Sequence, residues 1–524
     1  MLKGKSFSPP EPPKSTLPTV NFAIVIVAAY AQSAGVSWPF DLGFQAGQSI
    51  WWLQCFALAA LVGVLHRCST WKQAAGVGLM FSTAWLCATF WWLYISMHTY
   101  AGLNSLLTAL AILALAAALG LYYAAACGLY WILKKGRPLA ASVLFAALWT
   151  MAEMARGTWL TGFGWGAVGY AHLTGPLAAF VPWVGAYGVG ALAAWLAAGL
   201  VHATNTGIAL RVTLVSVVAV GFLAPSFQSP FSQDAGKLSV TLLQGNIPQD
   251  EKFQTGTGVP LALRWYGDEL NRSATQLVVA PETALPVLPQ DLPDGYWNAL
   301  VARFNGGDQA ALVGSPWGNM REGYTNSVFA FGPNQTGAWR YDKHHLVPFG
   351  EFIPPLFKWF TQMMNIPLGD FNRGAIGQAS YPWMGQRLAL NICYEDLFGE
   401  ELGARFLDSA NSPTIFVNVS NIGWFGDSVA IDQHLQISRM RALEFERPML
   451  RATNTGATVI IDHAGHVTAA LPRSTRGVLV GDVQGRTGIT PFAWWVARFG
   501  LWPIWLISVA IVLVAAYRHR TRAT

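Results

Sequence analysis

The sequence predicts two unlike parts: a polytopic α-helical membrane domain of about eight spans, and an α/β domain inserted before the last span. Three observations carry this. Of 524 residues, 53% are hydrophobic and only 11% are charged, against about 25% charged in an average soluble chain. The charges are also unevenly placed. Residues 1–236 hold ten Lys/Arg and four Asp/Glu, and the other 46 charged residues fall in the remaining 288. Finally, long unbroken apolar runs give way near residues 232–237 to short β-branched ones. Such a composition excludes a disordered chain, a basic nucleic-acid arm and an ordinary cytosolic enzyme.

A helix needs about 20 apolar residues to cross a bilayer. Candidate spans lie at 20–37, 47–65, 75–98, 105–133, 138–155, 175–202 and 209–226, with an eighth at 499–517. Their orientation follows from the loops. Lys3, Lys5 and Lys14 precede the first span; Arg67 and Lys72, then Lys134, Lys135 and Arg137, then Arg211 occupy alternate loops, and Arg518, Arg520 and Arg522 close the chain. The intervening loops carry one basic residue, Arg156. The positive-inside rule then puts both ends in the cytoplasm and the polar region, residues 232–490, on the outer face. Ala29-Tyr30-Ala31 also fits a signal-peptidase site; either reading leaves the polar region outside. Gly and Ala are frequent in the spans, as in 185–191, and suit close helix packing. Glu153 is the exception to a near absence of ionisable groups there, so an ion pathway has little support.

The polar region alternates strand and helix. Strands are expected at 238–244, 276–280, 311–314, 327–331, 388–392 and 414–419, each a short apolar or β-branched run bounded by Gly, Pro or Asn. A helix is expected from Ile431 to Phe445, stopped by Pro448. The domains are therefore read as 1–231 (seven spans), 232–490 (the α/β domain) and 491–524 (last span and tail).

Of five cysteines only Cys393 belongs to the α/β region, which leaves no disulfide within it. Cys393 ends a strand and precedes helix-like residues, where backbone N–H groups can lower a thiol pKa and bind an oxyanion. A small buried apolar residue is the alternative. Glu282 follows the strand 276–280 within Ala280-Pro281-Glu282-Thr283-Ala284, where apolar surroundings suit acid–base work, although a turn acid reads the same way. Lys343 follows Trp339-Arg340-Tyr341 and, taken alone, is a surface lysine. His344, His345 and His434 have no metal-ligand spacing, and no phosphate-loop, dinucleotide or Gly-x-Ser-x-Gly motif occurs.

Together, Glu282, Lys343 and Cys393, each at a strand end and in that order, resemble the Glu–Lys–Cys triad of the nitrilase superfamily. The spans on either side are similar to its membrane-embedded acyltransferase branch. That likeness extends through Asn246-Ile247-Pro248-Gln249, Lys343 to Glu351, Asn391 to Glu395, Val419-Ser420-Asn421, Trp424-Phe425-Gly426, Gln433-His434 and Arg439 to Ala442. Departures are Phe253 and Gly162-Phe163-Gly164-Trp165, where the family often has Trp and Gly-Phe-Pro-Trp.

The resemblance implies a nitrilase-like α-β-β-α sandwich and an acyl transfer without cofactor. The donor would be a phospholipid, with phosphatidylethanolamine favoured; the acceptor would be the N-terminal amine of a diacylglyceryl apolipoprotein. Cys393 would be the nucleophile, Glu282 the base and Lys343 the oxyanion partner. Glu351 and Glu395 would hold Lys343 and tune its charge, and Tyr394 and Trp424 would lie near the substrate path. The apolar segment Phe352–Phe371 suggests a lid. A monomer in the bacterial inner membrane, facing the periplasm, is implied, with no metal and no nucleic acid. The competing readings are a membrane-tethered carbon–nitrogen hydrolase and a catalytically inert scaffold.

Overall fold

The computed structural model describes residues 19–203, 208–223, 231–333, 338–354 and 370–521. The helical region comprises α1 (Thr19–Val36), α2 (Trp51–Arg67), α3 (Trp71–Thr89), α4 (Ser105–Leu133), α5 (Pro138–Thr158), α6 (Val181–Ala203) and α7 (Ile208–Leu223). Among the described residues, five helices are long and apolar enough to cross a membrane: α1, α4, α5, α6 and the last helix of the chain. Local chemistry sets several ends. Thr70 accepts the Gln73 N–H to start α3, Asn104 accepts the N–H groups of Leu106 and Leu107 to start α4, and Pro138 opens α5. α3 stops at Thr89, short of the 75–98 span expected from hydropathy, and a π-helical turn follows at Ile95–Tyr100. The Thr89 carbonyl is taken by two side chains, the indole of Trp92 at 3.0 Å and the amide of Gln433 at 3.0 Å. Gly78 lets α3 approach α4, since a Cβ there would sit 2.7 Å from that of Cys127.

The α/β region is two six-stranded sheets packed face to face. One has the order β12-β1-β2-β3-β4-β5 and the other β11-β10-β9-β8-β7-β6. In chain order the strands are β1 (Ser232–Gln244), β2 (Leu277–Val279), β3 (Ala310–Asn319), β4 (Gly323–Phe331), β5 (Trp339–Asp342), β6 (Tyr381–Trp383), β7 (Gln386–Ile392), β8 (Ile415–Ser420), β9 (Met449–Thr453), β10 (Val459–Ile461), β11 (Val467–Ala470) and β12 (Gly477–Gly488). Each sheet has three parallel central strands, β1-β2-β3 and β7-β8-β9, flanked by antiparallel ones. Leu242, Val279, Leu312, Leu390, Val417 and Leu450 fill the space between the sheets. Helices α8 (Gly258–Arg272) and α9 (Tyr296–Asn305) cover the first sheet through Leu263, Leu270 and Phe304. The result is the α-β-β-α sandwich.

The second sheet is covered differently. The short α10 (Gly399–Gly403) and the long α11 (Val429–Phe445) lie on it, and beyond them the chain ends with α12 (Pro491–Phe499) and α13 (Trp502–Arg520). Phe416 of β8 and Met440 and Phe445 of α11 share one continuous apolar core with Val25, Trp85 and Val189 of the helical bundle. Polar contacts reinforce this seam. Gln433 accepts the indole N–H groups of Trp92 at 3.0 Å and Trp165 at 2.7 Å. α6 breaks at Gly185 (φ 65°), and the freed N–H of Ala186 donates to Glu444 Oε1 at 2.6 Å. Gly185 is required there: a Cβ would lie 2.2 Å from the Phe492 ring.

Candidate active site

The three residues singled out by the sequence lie at the ends of β2, β5 and β7, where the two sheets face each other. Glu282 comes three residues after Val279 closes β2, at a turn in which Thr283 has φ 48°. Its Oε1 accepts from Asn326 Nδ2 at 2.7 Å and lies 3.4 Å from Lys343 Nζ; its Oε2 accepts the Asn421 N–H at 2.8 Å. The carboxylate is therefore fixed from both sheets.

Lys343 follows β5 and is buried, with Nζ 2.8 Å from Glu351 Oε1. Burial works to lower its pKa, but Glu351 and then Glu282 outweigh it and hold the ammonium well above the usual lysine range. Glu351 is itself anchored by Asn326 Nδ2 at 2.7 Å and the Val347 N–H at 2.8 Å.

Cys393 directly follows β7 with φ 55°, a conformation that turns the chain out of the sheet and costs strain in any residue with a Cβ. Its carbonyl accepts from Asn418 Nδ2 at 2.8 Å. Burial, and next the charge of Glu282, push its thiol up to about 12, against an opposing pull from Lys343. A thiol held that high is a poor nucleophile until a base takes its proton, and the charges of Glu282 and Lys343 bear on it in opposite directions.

Glu395 does not touch Lys343. Its carboxylate accepts the N–H groups of Ile392, His344 and His345 at 2.6, 2.7 and 3.1 Å, and the Tyr341 hydroxyl. It thus ties the end of β7 to the segment after β5, holding Cys393 and Lys343 in register through their neighbours. Tyr394 is buried beside Phe398, its hydroxyl donating to the Leu346 carbonyl at 3.2 Å. Trp424 lies on the rim, half exposed, with its ring edge-on to Tyr100 of the π-helical turn. Most of the suggested lid, Phe352–Phe371, lies outside the described residues.

Sequence reasoning missed Asn326 and, above all, Lys252. Lys252 is 1% exposed, and its Nζ donates to the Glu282 carbonyl at 3.1 Å and to Thr283 Oγ1 at 2.5 Å. Burial lowers its pKa to about 7, against the opposing pull of Glu282 and Cys393. Between Asp250-Glu251 and Phe253 it reads as a surface lysine; only its closeness to the Asn246–Gln249 motif hints otherwise.

Residues 239–491 match the carbon-nitrogen hydrolase family model, and residues 36–199 match that of the apolipoprotein N-acyltransferase N-terminal domain. Fold and site together define a membrane-borne enzyme of the carbon–nitrogen hydrolase class. The chain is 55% identical to the apolipoprotein N-acyltransferase of Verminephrobacter eiseniae, over 91% of this chain and 92% of the relative. It is 46% identical to that of Ralstonia nicotianae (90% of each) and 34% identical to that of Neisseria meningitidis serogroup A (94% and 98%). This chain belongs to the apolipoprotein N-acyltransferase family.

Proposed function

We propose that the protein moves a phospholipid acyl chain to the α-amino group of an N-terminal diacylglyceryl-cysteine in two half-reactions through a thioester on Cys393. The observation that carries this reading is the pairing of Glu282 and Lys343 at 3.4 Å beside a strained strand-end cysteine. In the first half-reaction Glu282 takes the thiol proton as Sγ attacks the ester carbonyl, favoured at the sn-1 position of phosphatidylethanolamine. The ammonium of Lys343 faces the developing oxyanion, together with a backbone N–H near Cys393 or Tyr394. The lysophospholipid leaves with the proton from Glu282. In the second, the acceptor amine attacks the thioester, Glu282 takes its proton, and the thiol is restored. Glu351 keeps Lys343 protonated throughout.

Both substrates are membrane-anchored, which accounts for the continuous core between α11 and the bundle. The protein acts as a monomer in the inner membrane of a bacterium, with eight spans and its α/β region in the periplasm, as the alternating basic loops suggest. Exposed Trp424 and Phe253 flank the path of the acyl chain. The deciding experiment is the intact mass of purified protein after incubation with phosphatidylethanolamine of one acyl composition. One added acyl group, removed by neutral hydroxylamine and missing in Cys393→Ala, is expected. Turnover of small amides with no adduct would instead mark a membrane-tethered carbon–nitrogen hydrolase.

A further inference from the structure

At the ends of α5 and α13 farther from the catalytic domain, the two helices part and leave a groove of about 570 Å³, within the range of small-molecule sites, roughly 300–1,000 Å³. Its walls are apolar, with Leu144 on α5 and Val514 on α13, and small residues line the floor. Its mouth carries four cations: Lys134, Lys135 and Arg137 from the α4–α5 connection, and Arg518 from the last turn of α13. Among the described residues that line it, none is Asp or Glu. Of the five span-length helices among the described residues, α13 is the least buried, with 6% of its most apolar window buried, so the groove opens toward lipid.

Apolar walls give water no polar partners and suit an acyl chain. The mouth then selects the headgroup. Arg137 and Arg518 bring guanidinium groups from the α4–α5 connection and from α13, and arginine can meet a phosphate with two parallel N–H donors; Lys135 and Lys134, whose Nζ also donates to the Leu65 carbonyl at 3.2 Å, add positive charge. The ammonium of a zwitterionic headgroup would find no carboxylate. We propose that this groove is a binding site for one diacyl phospholipid with a net anionic headgroup, drawn from the leaflet on the basic side of the bundle and separate from the acyl donor at Cys393. The lipid fills the space between α13 and the bundle and so fastens the last helix.

The test uses full-length protein and native mass spectrometry with dialkyl-ether phosphatidylglycerol and dialkyl-ether phosphatidylcholine at equal concentration. Ether lipids have no ester with which to load Cys393, so an adduct reports binding alone. One retained phosphatidylglycerol is expected under conditions that strip phosphatidylcholine, and inorganic phosphate should not displace it. In R137Q/R518Q the preference should fall by about tenfold or more. Ala515→Trp, which fills the groove without touching its charges, should lose the lipid while keeping the wild-type thermal midpoint. Equal retention of both lipids by the wild type, an unchanged preference in R137Q/R518Q, or full retention by folded Ala515→Trp would each overturn the assignment.

Discussion

Replacing Lys252 by Met should make the protein more stable and less active. A lysine moved from 10.5 to about 7 by burial carries a penalty of about 4–5 kcal/mol at neutral pH, at roughly 1.4 kcal/mol per pKa unit. Methionine removes that penalty and keeps most of the apolar volume. Against it stand two lost hydrogen bonds, to the Glu282 carbonyl and Thr283 Oγ1, at about 1 kcal/mol each, while the carbonyl keeps the Thr283 hydroxyl as a donor at 2.8 Å. The balance favours the variant by roughly 2 kcal/mol or more. The sign with pH follows from proton binding. Between pH 7 and 10.5 the unfolded chain holds the Lys252 proton and the folded chain does not, so wild-type stability rises across that window. The advantage of Lys252→Met should therefore be largest below pH 7 and fade toward pH 10. Thermal midpoints in detergent at pH 6.5 and 9.5 measure this. Loading of Cys393 with an acyl group should meanwhile slow by about 10- to 100-fold, because the turn that aims Glu282 is no longer held. A variant that melts lower than wild type at pH 6.5 and loads at the wild-type rate would refute the reasoning on both counts.

Other outcomes follow from the same geometry. Glu351→Gln removes the nearest charge on Lys343 Nζ, so Lys343 should titrate lower. Acyl loading should then fall by about 10²-fold or more and lose further activity above pH 9, read from single-turnover rates. Because burial holds the Cys393 thiol near 12, alkylation by iodoacetamide should keep rising beyond pH 9.5, where a free cysteine has levelled off; a plateau near pH 8.5 would contradict the assigned environment. Gln433→Ala strands the indole N–H of Trp165 and leaves that of Trp92 with the Thr89 carbonyl alone, and should cost about 1–3 kcal/mol, seen as a lower thermal midpoint.

What was legible in the sequence divides along physical lines. The strands at 277–279, 388–392 and 415–420 are covered on both faces, so they appear as mostly apolar runs, interrupted only by Asn391, Asn418 and Ser420. Edge strands gave no such signal. β6 is three residues with Pro382 in the middle, tolerable only where one side of the ladder needs no donor. The triad was legible as a resemblance rather than from spacing, since 111 residues separate Glu282 from Cys393 and only the packing of the sheets joins them. Lys252 was not legible, because nothing in its neighbours forecasts a buried ammonium. The early end of α3 was hidden for a related reason: the groups that capture the Thr89 carbonyl include Gln433, more than 300 residues away.

The division of the site between two sheets bears on how the chain is made. Glu282 and Lys343 belong to the first sheet and Cys393 to the second, and the first is not complete until β12, near the end of the chain, pairs along β1 from Ser232 to Gln244. During synthesis the cysteine therefore emerges before the sandwich that confines it can close. An unfinished chain carries a thiol without its partners from the first sheet, and the proposed acylating centre comes into being only once the last strand is in place. Assembly of the fold is in this sense the maturation step of that centre.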